Sequence, residues 1–260
     1  MNHQVKPKKR LGQHFLNDLS IASQIVDALS AETKHLLEIG PGTGVLTDFI
    51  LQKPITDFKI VEIDKESVDF LNHKYPELKD QLVLGDFLKM NLSDIFPKQY
   101  SIVGNFPYNI SSQILFRVWD ERQSVAEVVG MFQKEVAERV AAGPGSKTYG
   151  ILSVLLRAYY DIEYLFTVPE TVFTPPPKVK SGVIRLRRNK VKELACDEKF
   201  FKSVVKTAFG QRRKTISNSL KSLGFKNYKE ELQHLETKRP EQLDVDAFVE
   251  ITQVLSRELS

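Results

Sequence analysis

Cysteine is almost missing from this chain: Cys196 stands alone among 260 residues. That excludes an internal disulfide and any metal site built from several thiolates, so no metal is expected. Apolar runs are short, and none approaches the roughly 20 residues a bilayer-spanning helix needs. No membrane association is expected. The basic start (Lys6, Lys8, Lys9, Arg10) is not followed by the apolar stretch of a secretory signal. A cytoplasmic location is therefore expected. No internal repeat is detectable, and composition gives no reason for a stable oligomer, so a monomer is expected.

Acidic residues are absent from two stretches. The first ten residues carry four basic side chains and no acid. Residues 199–229 carry nine (Lys199, Lys202, Lys206, Arg212, Arg213, Lys214, Lys221, Lys226, Lys229), again with no acid. The other 24 basic residues face all 33 acids, so a chain of net charge +4 reads as two basic blocks on a body of charge −9. A short lysine run is usually a solvated helix face. An acid-free stretch of 31 residues with an Arg-Arg-Lys cluster points instead to a polyanion partner such as nucleic acid.

What is present is an ordinary globular composition, 42% hydrophobic and 27% charged, with length for one large domain and a small one. HLLEIG (35–40), FKIVEID (58–64), QLVLGD (81–86), YSIVGN (100–105) and AEVVGMF (126–132) read as strands. GVLTDFILQK (44–53), KESVDFLNHK (65–74) and SSQILFRVW (111–119) read as helices between them. This alternation predicts a parallel, doubly wound α/β sheet with its ligand at the carboxyl ends of the strands. The proline-rich TVPETVFTPPPKVKSG (167–182) is expected to be irregular and to lead into a last strand, VIRLRR (183–188). Beyond it, FFKSVVKTAF, KTISNSLKSLGF and DAFVEITQVLSREL have helical spacing. The expected boundary thus divides a domain over 1–188 from a small helical domain over 189–260.

The chemistry concentrates at strand ends. In EIGPGTGVLT, Gly40, Gly42 and Gly44 have G-x-G-x-G spacing, which differs from the G-x-G-x-x-G of dinucleotide folds. Such glycines also make plain tight turns. Glu62, ending the second strand, adds weight, because a carboxylate there can accept both ribose hydroxyls of an adenosine-containing cofactor. Asp86 closes the third strand, where a carboxylate can accept from an adenine amine. The fourth strand ends in Asn105-Phe106-Pro107-Tyr108, similar to the signature of methyltransferases acting on nucleobase amines. This favours S-adenosylmethionine over a nicotinamide cofactor.

The exocyclic nitrogen of adenine is a poor nucleophile because its lone pair is delocalised into the ring. The Asn105 side-chain carbonyl and the Phe106 main-chain carbonyl can accept its two N–H groups and draw it toward a tetrahedral geometry. Pro107 fixes the turn, and Tyr108 offers a face for the base to stack on, so catalysis is positioning plus electrostatics. A base in a helix must leave its stack to reach such a pocket. Phe173 is expected to close over the other face of the base; the alternative is a loop aromatic plugging the core.

KKRLGQHFL (8–16), EIGPGTGVLT (38–47), VEID (61–64), GDFL (85–88), GNFPYNIS (104–111), FTPPPKVKS (173–181) and AFGQRRKTISNSL (208–220) together resemble, in order, the KsgA family of small-subunit ribosomal RNA adenine dimethyltransferases. The resemblance spans nearly the whole chain. It implies a Rossmann-like class I methyltransferase domain with a helical, RNA-binding C-terminal domain. Asn105, Tyr108 and Phe173 would then be catalytic. His14, Leu16, Gly40, Glu62, Asp86 and Asn105 would line S-adenosylmethionine, with His14 standing where the family often has Asn. The implied reaction is dimethylation of N6 on two adjacent adenosines in a hairpin loop near the 3′ end of small-subunit RNA, within an assembling small subunit. Two alternatives remain open: an Erm-type dimethyltransferase of large-subunit RNA, and a non-catalytic RNA-binding assembly factor on the same fold.

Overall fold

Continuous Val/Ile/Leu runs suit strands buried on both faces, and they form the centre of a seven-stranded sheet. The computed structural model describes residues 5–96 and 98–259. In chain order the strands are β1 (Phe15–Leu16), β2 (His35–Ile39), β3 (Asp57–Glu62), β4 (Leu82–Leu84), β5 (Tyr100–Asn105), β6 (Val125–Gln133), β7 (Tyr160–Val168), β8 (Phe173–Thr174) and β9 (Ser181–Arg188). The large sheet has the order β4-β3-β2-β5-β6-β9-β7, and β1 and β8 form a separate two-stranded antiparallel pair. Leu36, Leu37, Ile102, Val103, Val128, Val129 and Ile184 are fully buried. Burying each such side chain contributes about 1.5–3 kcal/mol.

The chain moves outward from β2 through β3 to β4, then returns to place β5 on the other side of β2. These strands and β6 are mutually parallel. The reversal leaves a crevice at the carboxyl ends of β2 and β5, where open α/β sheets bind ligands. The expectation of a parallel sheet needs one correction: β9 runs antiparallel to β6, with Ser181 opposite Gln133 and Gly182 opposite Phe132. The first residue of β9 therefore arrives at the same edge as the last residues of the parallel strands. The proline-rich stretch is irregular only at 169 and 175–180: it begins in the end of β7, passes through a 3-10 turn (Glu170–Val172) and β8, and ends in the start of β9.

Helices α1 (Leu19–Asp27), α2 (Thr47–Ile50), α3 (Lys65–Lys74) and α4 (Ser111–Asp120) fall between the strands. Asp18 caps α1 by accepting the Ser20 and Ile21 N–H groups, and Asp64 caps α3 by accepting that of Glu66; each cap contributes about 1 kcal/mol. The expected helix over 44–53 shrinks to α2, because its first residues form the glycine turn.

The chain folds into two compact units. One comprises residues through Ala137 with Ile162–Arg188, the other Glu138–Asp161 with Asn189 onward. The second unit thus takes residues 138–161, which the sequence boundary at 188/189 leaves with the first. This stretch holds the end of α5 (Lys134–Ala141), and α6 (Ile151–Arg157), whose Leu152, Val154, Leu155 and Leu156 are buried. It continues with α7 (Glu198–Gly210), α8 (Ile216–Ser219), α9 (Gln233–Glu236) and α10 (Val245–Leu255). Asp197 and Asp244 cap α7 and α10, whose apolar stripes are Phe201, Val204, Val205, Ala208 and Phe248, Ile251, Val254, Leu255. The expected helix over KTISNSLKSLGF is broken into α8 and two 3-10 turns at Gly224, whose φ of 80° is left-handed.

Candidate active site

A pocket of about 930 Å³, its open mouth included, lies at the carboxyl ends of β2 to β5. Its floor is the turn after β2. Gly40 and Gly42 have φ of 66° and 60°, a region closed to most residues. A side chain at Gly42 would also meet the Phe15 ring, 2.9 Å from the Cβ position. Tyr75 buttresses the turn from behind, its hydroxyl 2.9 Å from the Gly44 carbonyl and 2.6 Å from the Asp48 carboxylate.

Glu62 ends β3 and is 3% exposed. One carboxylate oxygen accepts the Gly42 N–H at 3.3 Å and the other the Asp64 N–H at 2.8 Å. Burial raises its pKa against the opposing effect of these N–H groups, with the Asp64 charge adding to the rise. Among the described residues no basic side chain pairs with it. A fixed, buried carboxylate lining a pocket fits two hydroxyl donors of a ribose. Asp86 lines the same pocket, with its Oδ1 held by the Leu88 N–H at 3.0 Å and its Oδ2 3.5 Å from Lys89.

The Asn105-Phe106-Pro107-Tyr108 turn forms the opposite wall. Phe106 is 1% exposed, and its ring occupies space that side chains at Gly104 and Gly130 would fill. With its N–H bonded to the Met131 carbonyl at 3.1 Å, the Phe106 backbone is fixed. The Asn105 side-chain nitrogen donates to the His14 carbonyl at 2.9 Å. The tether uses the amide nitrogen, so the amide oxygen is the group left to accept. His14 makes this contact through its backbone, so any residue there supplies it. The His14 imidazole instead stacks on Tyr108, centroids 5.3 Å apart at 28°, and its Nδ1 is 2.7 Å from the Pro175 carbonyl.

His14, Leu16, Gly40, Glu62, Asp86, Asn105 and Tyr108 all line this pocket. Phe173 does not. It is 3% exposed, opposite Leu16 in the β1–β8 pair, and packs in the apolar core with Val168 and Val183. In this structure the ring takes the other arrangement considered from the sequence, a loop aromatic packed in the core, with strand pairing turning it inward.

Sequence reasoning missed Glu38 and Ile63. Glu38 is fully buried in β2 and lines the pocket. Thr47 donates to one of its oxygens at 2.7 Å, while the other has no partner among the described residues. Burial pushes its pKa up to about 8. A single charge inside the apolar run HLLEI was the available signal. Ile63, next to Glu62, is 51% exposed at the pocket, an apolar flank for a flat ring.

The basic blocks are only partly available to a ligand. In the N-terminal arm Lys8 pairs with Asp64 and Glu66, so it holds the arm to the start of α3; Lys6, Lys9 and Arg10 are exposed. In the helical unit Arg212 is half-buried, donating to the Ser146 carbonyl at 3.3 Å and lying 3.7 Å from Glu241. Backbone bonds from Gly145 to Glu241 and from Ile216 to Lys238 bring three segments together. Exposed Lys147, Arg213, Lys214, Lys238 and Arg239 therefore cluster within this unit. Lys147, Lys238 and Arg239 lie outside the acid-free stretch and carried no signal in the sequence.

A model of the ribosomal RNA adenine dimethylase family matches residues 4–257. "Ribosomal RNA small subunit methyltransferase A" of Parabacteroides distasonis is 57% identical over 98% of this chain and 96% of its own. The protein of that name from Cytophaga hutchinsonii is 58% identical over 97% and 98%. Among solved structures, a dimethyladenosine transferase from Plasmodium falciparum superposes with TM-score 0.78 at 26% identity, covering 95% of this chain and 97% of that one. The 23S rRNA methyltransferase ErmE shares the fold with TM-score 0.69 at 24% identity, over 92% and 99%.

Proposed function

The chain belongs to the ribosomal RNA adenine dimethylase family, and on that premise we propose that it dimethylates N6 of two adjacent adenosines in a hairpin loop near the 3′ end of small-subunit ribosomal RNA. The observation that carries the reading is the Asn105 amide, tethered through its nitrogen in the pocket wall next to the backbone-anchored Phe106; its oxygen and the Phe106 carbonyl are the two acceptors an exocyclic amine requires. Small-subunit RNA is favoured over large-subunit RNA by the relatives sharing more than half their residues with this chain over nearly full length.

The pocket fits S-adenosylmethionine. Glu62 would accept the ribose hydroxyls, Asp86 the adenine amine, and Ile63 would flank the adenine ring. The glycine turn leaves room for the remainder beside Leu16. Bound there, S-adenosylmethionine supplies an electrophilic methyl group on a cationic sulfur. The chain's own residues do the rest. Asn105 Oδ1 and the Phe106 carbonyl accept the N–H bonds of the target amine and turn its lone pair outward. Tyr108 stacks on the extruded base. The methylated nitrogen releases a proton to water; one N–H then remains for one of the two acceptors, and rotation about the C–N bond presents the regenerated lone pair for the second transfer.

The helical unit, through Arg213, Lys214, Lys147, Lys238 and Arg239, and the arm residues Lys6, Lys9 and Arg10 grip flanking phosphates, setting register without reading bases. The protein acts as a monomer in the cytoplasm on an assembling small subunit; among the described residues no helix is long and apolar enough to cross a membrane. Unmethylated small and large subunits, treated separately and digested for mass spectrometry, test this. Dimethyladenosine at two neighbouring positions of the small subunit alone is expected. Its appearance in the large subunit alone would mark an Erm-type enzyme, and its absence from both an assembly factor.

A further inference from the structure

We propose that Ser181 is a positioning residue for the methyl transfer, acting through the hydroxyl of Tyr108; this rests on Tyr108 stacking the target base. Stacking needs a ring held at a fixed angle, and a tyrosine on a short 3-10 turn after β5 has no strand ladder to hold it. The Tyr108 hydroxyl and Ser181 Oγ are hydrogen-bonded at 2.5 Å. Ser181 is fully buried and lies outside the residues lining the pocket, so its effect on substrate passes through Tyr108. Its own place is fixed by the sheet: it begins β9 opposite Gln133, and the preceding Lys180 carbonyl accepts the Lys134 N–H at 2.9 Å.

The ring is held at a second point. His14 covers one of its faces and is itself bonded to the Pro175 carbonyl. Tyr108 is therefore braced at its hydroxyl and along one face, and only its other face remains for a base. Both braces end in the FTPPPKVKS segment, directly at Ser181 and through His14 at Pro175. The segment whose Phe173 was expected to touch the base thus acts by orienting the tyrosine that does.

A double-mutant cycle tests this. Ser181→Ala and Tyr108→Phe delete the two halves of one hydrogen bond. Each is expected to slow single-turnover methylation of undermethylated small subunits about five- to tenfold, with S-adenosylmethionine affinity of Ser181→Ala unchanged. The double variant is expected to be no slower than either single one. Losses that multiply would show that Ser181 acts by another route and would overturn the proposal. A second arm uses the free protein carrying tyrosine labelled with ¹³C at Cζ. The Tyr108 resonance, assigned by its loss in Tyr108→Phe, is expected to move in Ser181→Ala while the other tyrosines stay; an unmoved signal overturns the proposal too. A parent protein that methylates no small subunit would instead sink the substrate reading, and the labelled arm would still decide whether Ser181 holds the hydroxyl.

Discussion

The pocket and the basic cluster hold their functional groups in opposite ways. Three polar groups of the pocket are pinned by named neighbours: Asn105 by the His14 carbonyl, Glu62 by the Gly42 and Asp64 N–H groups, Tyr108 by Ser181. In the helical unit Arg212 is pinned between Ser146 and Glu241, while Arg213 and Lys214 beside it are exposed. Directional chemistry needs a fixed acceptor at a fixed angle, so losing one contact is costly. Phosphate binding sums over charges that tolerate imprecise placement, so losses should be graded and salt-dependent.

The sharpest break in that contrast would come at Asn105. Asn105→Ala is expected to reduce single-turnover methylation at least a hundredfold, with melting temperature and RNA affinity close to the parent. A two- or threefold loss would mean that the amine is activated elsewhere. Next, Glu62→Ala is expected to weaken S-adenosylmethionine at least tenfold, since two charge-assisted hydrogen bonds disappear, while RNA affinity stays nearly constant. Calorimetry with equal affinities would remove Glu62 from the site.

The basic cluster should respond more gently. Reversing Arg213 and Lys214 to Glu is expected to flatten the log–log salt dependence of RNA binding by about 1.4–1.8, from two phosphate contacts at about 0.7–0.9 each. Arg212→Ala should instead lower the melting temperature. If Arg212 alone changed the slope by a full contact, the pinned-versus-exposed distinction within the cluster would fail.

The smallest effect concerns Glu38. Its folded pKa of about 8 lies above the ordinary 4.5, so between those values the folded protein holds a proton that the unfolded chain has released. The stability this contributes is complete below about pH 4.5 and is lost as pH rises through about 8. Glu38→Gln keeps the neutral shape. Its urea-unfolding stability relative to the parent should therefore rise between pH 5 and pH 8. A constant difference would mean that Glu38 is ionised in the folded protein.

Much of this site was legible in the chain because its determinants are local. Glu62 and Asn105 end strands marked by continuous apolar runs, and the glycine spacing marks a turn wherever it lies. Apart from Glu38 and Ile63, what escaped was set by partners distant in sequence. The inward turn of Phe173 depends on pairing with Leu16, more than 150 residues earlier. The captivity of Arg212 depends on Ser146 and Glu241, and nothing near Arg212 distinguishes it from Arg213. Residues 138–161 look like a continuation of the α/β pattern, and only their packing in the folded chain places them with the helical unit.

The direction of β9 carries a further consequence, which is one of alignment. Side chains alternate across a strand, so sliding β9 by a single residue along β6 would point Ser181 to the wrong side of the sheet. Gly182 stands guard against that slide. A Cβ at this position would lie 2.8 Å from both the Ala137 Cβ and the Tyr164 hydroxyl, so neither Ser181 nor Val183 can occupy its slot without displacing them. One missing methyl group thus acts as an index mark for the strand, keeping the tyrosine's anchor in phase with a wall built from β5 and β6.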